Sequence, residues 1–332
     1  MAPKPDAAVT AVIPNWNGAR CLGRLLSDLR AQTEPPAEIV VVDNGSSDGS
    51  DLDAGQTGAR VIQLGRNTGF AHAVNLGVEA SRTPLVAILN ADVELEPDFL
   101  ALLAEACRQP GTWFATGKLL SRADPSRIDA TFDAVSRAGC PWRCGQGRLD
   151  GPPWSAGREI AMAPLTAAVF HREVFRRVGP LDERFESYLE DVDLGIRCAL
   201  EGLSGRYVPE AVGRHWGSAT LGAYGSESVR LLARNQVFLV CKHYAGAWPA
   251  GRLWRAMVGQ VLWGFVAARR GAAGAFLRGK WEGLRRAGEF GAPRAGVEEV
   301  LRSSEETIRE WQRASGFDRY WRLYFLLTTG RA

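Results

Sequence analysis

Cysteine is scarce in this chain of 332 residues: Cys21, Cys107, Cys140, Cys144, Cys198 and Cys241 make up the six, and most lie far apart. That spacing excludes a disulfide framework and suits reduced, buried thiols. Cys140 and Cys144 form a lone Cys-x-x-x-Cys, which without a second pair points to packing more than to a zinc site. Lysine is scarcer still, with Lys4, Lys118, Lys242 and Lys280 among 40 Lys plus Arg. No charged and then apolar segment opens the sequence, where residues 1–8 read MAPKPDAA, so nothing there directs export and a cytoplasmic location is expected. The apolar run from Met257 to Ala268 falls short of the roughly twenty residues that a spanning helix needs. Internal repeats and low-complexity tracts are also lacking.

What is present is apolar residue in quantity, 46% of the chain, enough for one large core or a core with a smaller appendage. The net charge of +3 conceals an asymmetry: residues 230–290 hold eleven Lys or Arg against Glu282 and Glu289, so residues 1–229 are net acidic. A nucleic-acid-binding surface is not usually built this way, and no nucleic-acid partner is expected.

The first 120 residues alternate apolar runs of strand length with segments of helical period, which predicts a mostly parallel sheet with crossover helices. Val9 to Ile13 reads as a strand stopped by Pro14. Cys21, Leu22, Leu25, Leu26 and Leu29 recur at helical spacing, and Glu38 to Asp43 reads as a fully buried strand. Further strands are expected at Arg60 to Leu64 and Leu85 to Leu89. Residues 121–160, rich in Gly, Pro, Arg and Asp, read as an irregular insertion that could move over a site. Leu165 to Phe170 resumes the strand pattern, and from about 226 the chain turns helical, basic and aromatic. A domain boundary is therefore placed near 225, with an α/β domain over 1–225 and a helical region over 226–332.

Polar residues cluster just after the strands, where open α/β sheets bind ligands. Asp43 and Asn44 close a buried strand, so Asp43 can accept a hydrogen bond from a base or ribose, although the pair could equally cap the next turn. Asn90-Ala91-Asp92 places two side chains on alternate residues of what reads as an extended segment, where both share a face and could hold a hard cation such as Mg²⁺ or Mn²⁺. Tyr188-Leu-Glu190-Asp191-Val-Asp193 gathers three carboxylates at the start of a helical pattern. Acidic residues suit a helix N-terminus, but one held near a reaction centre could also act as a general base. His215 follows a strand-like Arg206-Tyr-Val-Pro and could contact a metal or phosphate.

Taken in order, these segments resemble the family 2 glycosyltransferases of GT-A fold, and most closely the bacterial rhamnosyltransferase-like members. The resemblance rests on Val12-Ile-Pro-Asn-Trp-Asn-Gly18, Val41 to Asp48, Asn67-Thr-Gly-Phe-Ala71 with Asn75 and Gly77, Leu89 to Asp92, Leu181 to Phe185, and Glu190 to Gly195, and it covers roughly residues 8–240. It implies a nucleotide-sugar donor bound by Pro14, Asn15, Trp16, Asn17, Asp43, Asn44, Ser46, Arg66, Asn67, Gly69, Asn90 and Ala91. It also implies a divalent metal (Mg²⁺ or Mn²⁺) at Asp92, with His215 approaching the metal or diphosphate, and a catalytic base at Asp191 with Glu190 in reserve. The implied reaction inverts the donor's anomeric centre. By resemblance the first candidate donor is dTDP-rhamnose, with a UDP-hexose as alternative, and the acceptor is a glycan or a polyprenyl-diphosphate-linked glycan of the cell surface. Many relatives carry Asp where this chain has Asn90, which removes one negative charge from the site.

Rival readings are weaker. A nucleotidyltransferase needs a Gly-rich, basic triphosphate loop that Val12 to Gly18 lacks, and an NAD-dependent oxidoreductase needs Gly-x-Gly-x-x-Gly after the first strand. A non-catalytic sugar-nucleotide or glycan-binding protein would usually have lost Asp92 or the acidic pair. In the basic region, Trp254, Trp263, Phe265, Phe276 and Trp281 would suit a peripheral contact with an anionic membrane. Packing of these aromatics on the catalytic domain or within a homodimer is an equal alternative.

Overall fold

The computed structural model describes residues 8–217, 225–244, 250–291 and 295–330, with the side chains of 250–253 excepted. The first seven residues of the lead and the Arg252 side chain lie outside the described residues. The chain divides into two compact units, one of Met1–Phe132 with Gly145–Thr220, the other of Asp133–Cys144 with Leu221–Ala332.

In the first unit the alternation of strand and helix follows the apolar pattern: β1 Val9–Asn15, α1 Leu22–Arg30, β2 Glu38–Asp43, α2 Ser50–Gln56, β3 Arg60–Gln63, α3 Phe70–Ala80 and β4 Leu85–Leu89. Next come β5 Val93–Leu95, α4 Phe99–Arg108, β6 Thr112–Ser121 and β7 Ile128–Ala130. The short hairpin strands β8 Asp133–Val135 and β9 Pro141–Arg143 belong to the second unit, and the first resumes with β10 Arg158–Ile160, β11 Ala167–His171, α5 Glu173–Arg177, α6 Glu190–Leu200 and β12 Ser204–His215.

The main sheet runs β10-β12-β6-β11-β4-β1-β2-β3. β4, β1, β2 and β3 are parallel to one another, whereas β11 lies antiparallel between β4 and β6. Both faces of the parallel half are covered. Ile13, Val41 and Leu89 join one core with Leu25, Phe99 and Leu103, while Val40 and Val42 pack with Ala73 of α3. Burial on both faces is why these strands read as unbroken apolar runs. Pro14 does not stop β1: it pairs in register with Val42, and the strand ends at Asn15 opposite Asp43.

Residues 121–160 are not irregular throughout, since β7 to β10 lie within them and Trp142 and Trp154 are buried. The β8–β9 hairpin packs within the helical unit formed by α7 Ser226–Tyr244, α8 Ala250–Arg269, α9 Ala273–Arg285, α10 Val297–Ser315 and α11 Arg319–Thr329. There the Val135 amide donates to Ser304 Oγ at 2.8 Å, and Arg137 donates to Glu305 from its backbone and its guanidinium, at 2.7 to 3.0 Å. The Tyr244 hydroxyl donates to the Ser136 carbonyl at 2.9 Å, and Trp142 meets Trp321 edge to face. Unit boundaries therefore differ from a single cut near 225, because long-range packing rather than sequence order assigns the hairpin.

Candidate active site

The carboxyl ends of β1 and β2 are tied together by side chains. Asn15 Nδ2 donates to Asp43 Oδ1 at 2.8 Å and to Ser50 Oγ at 2.9 Å, and Asp43 Oδ2 accepts from the Ser46 amide at 2.9 Å. Ser46 Oγ in turn accepts from the Asn17 amide at 2.8 Å. Asn17 is exposed and holds a left-handed backbone, with φ of 53°. Pro14 and Trp16, on either side of Asn15, are half-buried. A Cβ at Gly18 would lie 2.2 Å from Asn15 Oδ1 and 3.4 Å from the Ala91 side chain, so this close approach requires glycine and brings the β1 loop against the end of β4.

Asn44 organises the next loop. Its amide nitrogen donates to Asn67 Oδ1 and the Gly69 carbonyl at 3.1 and 3.0 Å, and its oxygen accepts from the Thr68 amide and hydroxyl at 2.7 and 2.9 Å. Gly45, at φ of 75°, sits so close to Arg66 that a Cβ would meet the Arg66 backbone at 2.5 Å. The Arg66 and Asn67 side chains are left exposed at the rim.

That loop leads into the acidic segment. The Ala71 amide donates to the Glu186 carbonyl at 2.9 Å, and the Phe70 amide to Ser187 Oγ at 3.3 Å. Asn75 pairs with both backbone groups of Leu181, at 2.8 and 2.9 Å, which locks α3 to this segment. Glu186, Tyr188 and Leu189 all have positive φ, between 60° and 73°. Such strain on non-glycine residues is held only where the surroundings over-determine it, and it clusters at functional sites. Here it delivers Glu190 and Asp191 to the first turn of α6, whose dipole favours negative charge. Glu190 is buried and Asp191 is half-buried. Asp193 is fully buried and pairs with Arg197 at 2.9 Å, and Arg197 also donates to the Val178 and Gly179 carbonyls, so the third carboxylate is structural.

Asn90-Ala91-Asp92 is a turn, not an extended segment: β4 ends at Leu89, and the Val93 amide returns toward the Asn90 carbonyl at 3.4 Å. Alternation on a strand therefore does not align Asn90 with Asp92. What places Asp92 is the pairing of β5 with β12, which sets Val93 opposite His215. His215 Nε2 lies 3.2 Å from Asp92 Oδ1, and His215 Nδ1 lies 2.7 Å from Asp129 Oδ2. Burial would lower the pKa of this imidazole, but the two carboxylates outweigh it and hold the group up at about 9.

Asp129 escaped the sequence reading. It comes from β7, which returns antiparallel on β6 while β12 runs parallel on β6, so the residue reaches His215 across 86 positions of sequence. No local motif marks it.

Asp92 and His215 offer the oxygen and nitrogen donors that would hold a divalent cation, with the proton between them displaced on binding. Asp129 behind Nδ1 completes the carboxylate–histidine arrangement that orients metal-binding imidazoles. The buried Asn90 Oδ1 accepts no hydrogen bond. This donor set fits a divalent cation. Among the described residues there is no cluster of three or more His, Cys, Asp or Glu side chains able to hold a metal ion, so a cation here would rely on diphosphate and water for most of its shell.

The chain has solved structural likenesses at low identity. GalNAc-T7, solved with UDP, GalNAc and Mn²⁺, superposes with a TM-score of 0.59 at 15% identity, over 77% of this chain and 50% of that one. A mannosyltransferase of Pyrobaculum calidifontis, solved with GDP-mannose and Mn²⁺, gives 0.53 at 16% identity over 98% and 89%. These establish the GT-A fold. An N-acetylglucosaminyl-diphospho-decaprenol L-rhamnosyltransferase of Mycobacterium tuberculosis is 29% identical over 262 residues, 70% of this chain and 84% of that protein. The family model for glycosyl transferase family 2 matches residues 10–179, just over half of the chain and most of the site built above, so the chain belongs to that family and is a glycosyltransferase.

Proposed function

We propose that the chain moves rhamnose from dTDP-rhamnose to a hydroxyl of a polyprenyl-diphosphate-linked glycan, with inversion, in the synthesis of a cell-surface polysaccharide on the cytosolic face of the membrane. The observation that carries the reading is the ring of tied segments: the Asn15–Asp43 and Asn44–Asn67 loops, the Asp92–His215–Asp129 line, and the strained lead into Glu190 and Asp191. The rhamnosyltransferase relative supports the choice of sugar and acceptor.

In this reading Asp43 and Asn44 shape the nucleoside end of the donor site, Arg66 and Asn67 contact the donor at the rim, and Asp191 takes the proton of the acceptor hydroxyl. The new bond joins that oxygen to the anomeric carbon as the bond to the diphosphate breaks. Asp92 and His215 would hold the divalent cation, which when bound supplies Lewis-acid neutralisation of the diphosphate. Asp129 orients His215.

A thermal-shift panel of dTDP- and UDP-sugars, with and without Mn²⁺, tests this, because ligands that bind only the native state raise its stability. A shift with dTDP-rhamnose, strengthened by Mn²⁺ and lost in Asp92→Ala, is the expected result. A shift confined to UDP-sugars replaces the donor, and no shift with any nucleotide sugar overturns the proposal in favour of a binding role. Product NMR showing a retained anomeric configuration would reject inversion.

A further inference from the structure

The second unit leaves large apolar side chains in water. On α8, Trp254, Met257, Val261 and Phe265 are 48 to 65% exposed and recur every three or four residues, so they form one stripe. On α9, Leu277, Trp281 and Leu284 form another, each more than 60% exposed. Leu323 and Leu327 continue the pattern on α11. Two contacts join these helices. The Trp254 indole donates to the Leu327 carbonyl at 3.0 Å, linking α8 to α11, and Phe276 packs beside Trp263 at 5.7 Å, linking α9 to α8. Of the five aromatics noted in the sequence, Trp263 and Phe276 are thus spent on packing, while Trp254, Phe265 and Trp281 face solvent. A soluble surface rarely leaves this many large apolar side chains of neighbouring helices in water without a partner.

We infer that this face docks on an anionic lipid bilayer. The rim is cationic: Arg269, Arg278, Arg285, Arg319 and Arg322 are exposed, and Arg285 lies over the Trp281 ring at 6.0 Å to its centroid. The acidic residues within these three helices and the turn after α9 are Glu282 and Glu289, and they are engaged by Arg230 and Arg286. Guanidinium groups around an aromatic and aliphatic face match a surface of acidic headgroups over acyl chains. A twofold contact between copies would instead set each arginine rim against its own image. Among the described residues no helix is long and apolar enough to cross a membrane, so the contact lies in the plane of the interface.

The test is co-sedimentation of the full chain with phosphatidylcholine vesicles, alone or mixed with phosphatidylglycerol, at low and high salt. Expected is binding to the anionic vesicles that falls about tenfold or more at high salt and in Phe265→Ser/Trp281→Ser, whose melting temperature stays that of the parent. No sedimentation, equal binding to both vesicle types, or binding unchanged in the double variant overturns the inference. Light scattering that shows a dimer dispersed by the same variant overturns it in favour of a second copy. Since no sugar transfer is read, failure here leaves the donor and acceptor reading untouched, and failure of that reading leaves this one standing.

Discussion

The sheet unit and the helical unit both bury charged groups, but in different settings. In the helical unit Glu305 is 1% exposed and its oxygens are filled by Arg137 and the Tyr324 hydroxyl, while the Lys280 ammonium donates to the Ala233 carbonyl, Gln236 and Gln260. These groups hold helices and hairpin together. In the sheet unit Asp92, in the turn before β5, Asp129, within β7, and Asp191, in the first turn of α6, stand half-buried, within reach of solvent. A buried ion pair costs desolvation, and its two charges are spent on each other. A carboxylate positioned by neighbours yet still accessible is a better candidate, and the contrast separates Asp191 from Asp193 two residues away.

The largest effect expected on that contrast is from Asp191→Asn. If Asp191 is the base, its kcat falls by about 10² to 10⁴ with the melting temperature unchanged. The same substitution at Asp193 should instead destabilise the unit, because it leaves the buried Arg197 charge without its carboxylate. Steady-state rates and melting curves of the two variants distinguish the roles. A fall in rate for Glu190→Gln larger than for Asp191→Asn would move the base one residue.

Asp129→Asn should have an intermediate effect. Outer-shell partners of metal-binding histidines are worth about 10- to 100-fold in affinity or activity. We expect the Mn²⁺ concentration for half-maximal nucleotide binding to rise by that order, read by titration calorimetry, with partial rescue in Asp129→Glu. An unchanged Mn²⁺ requirement would make Asp129 a purely structural partner of His215.

The smallest effect on activity is expected in the helical unit, where the readout is stability against pH. Burial lowers the Lys280 pKa from 10.5 to about 7. The folded state thus binds fewer protons than the unfolded state between these values, so this residue makes stability rise from pH 7 to 10.5. The cost is present in full below pH 7. In Lys280→Met that part of the rise should vanish from melting temperatures taken across the window, while the sheet unit's donor binding is unaffected.

Much of this was legible from local pattern. The strands β1 to β4, the Asn44 loop and the α6 start each announce themselves by apolar runs followed by polar residues. What sequence could not show depends on register. Asp129 meets His215 only through the placement of β7 and β12 on β6, and strand alternation does not align Asn90 with Asp92 because a turn replaces the expected extension. Pro14 looked like a terminator, yet a proline can occupy a strand end without breaking its pairing. Sorting Trp263 and Phe276 from Trp254 and Trp281 likewise required the packing of α8 on α9.

The β8–β9 hairpin gives the chain an interlaced covalent path. The backbone passes from one unit to the other after Phe132, returns after Cys144 and leaves again after Thr220. A gene fragment encoding only residues 221–332 would lack the strand that donates Val135 to Ser304 and the arginine that neutralises Glu305. The helical unit is therefore not a detachable cassette. Domain exchange among related enzymes at the helical boundary alone would strand a buried carboxylate, and a workable chimera has to carry the hairpin with the helices.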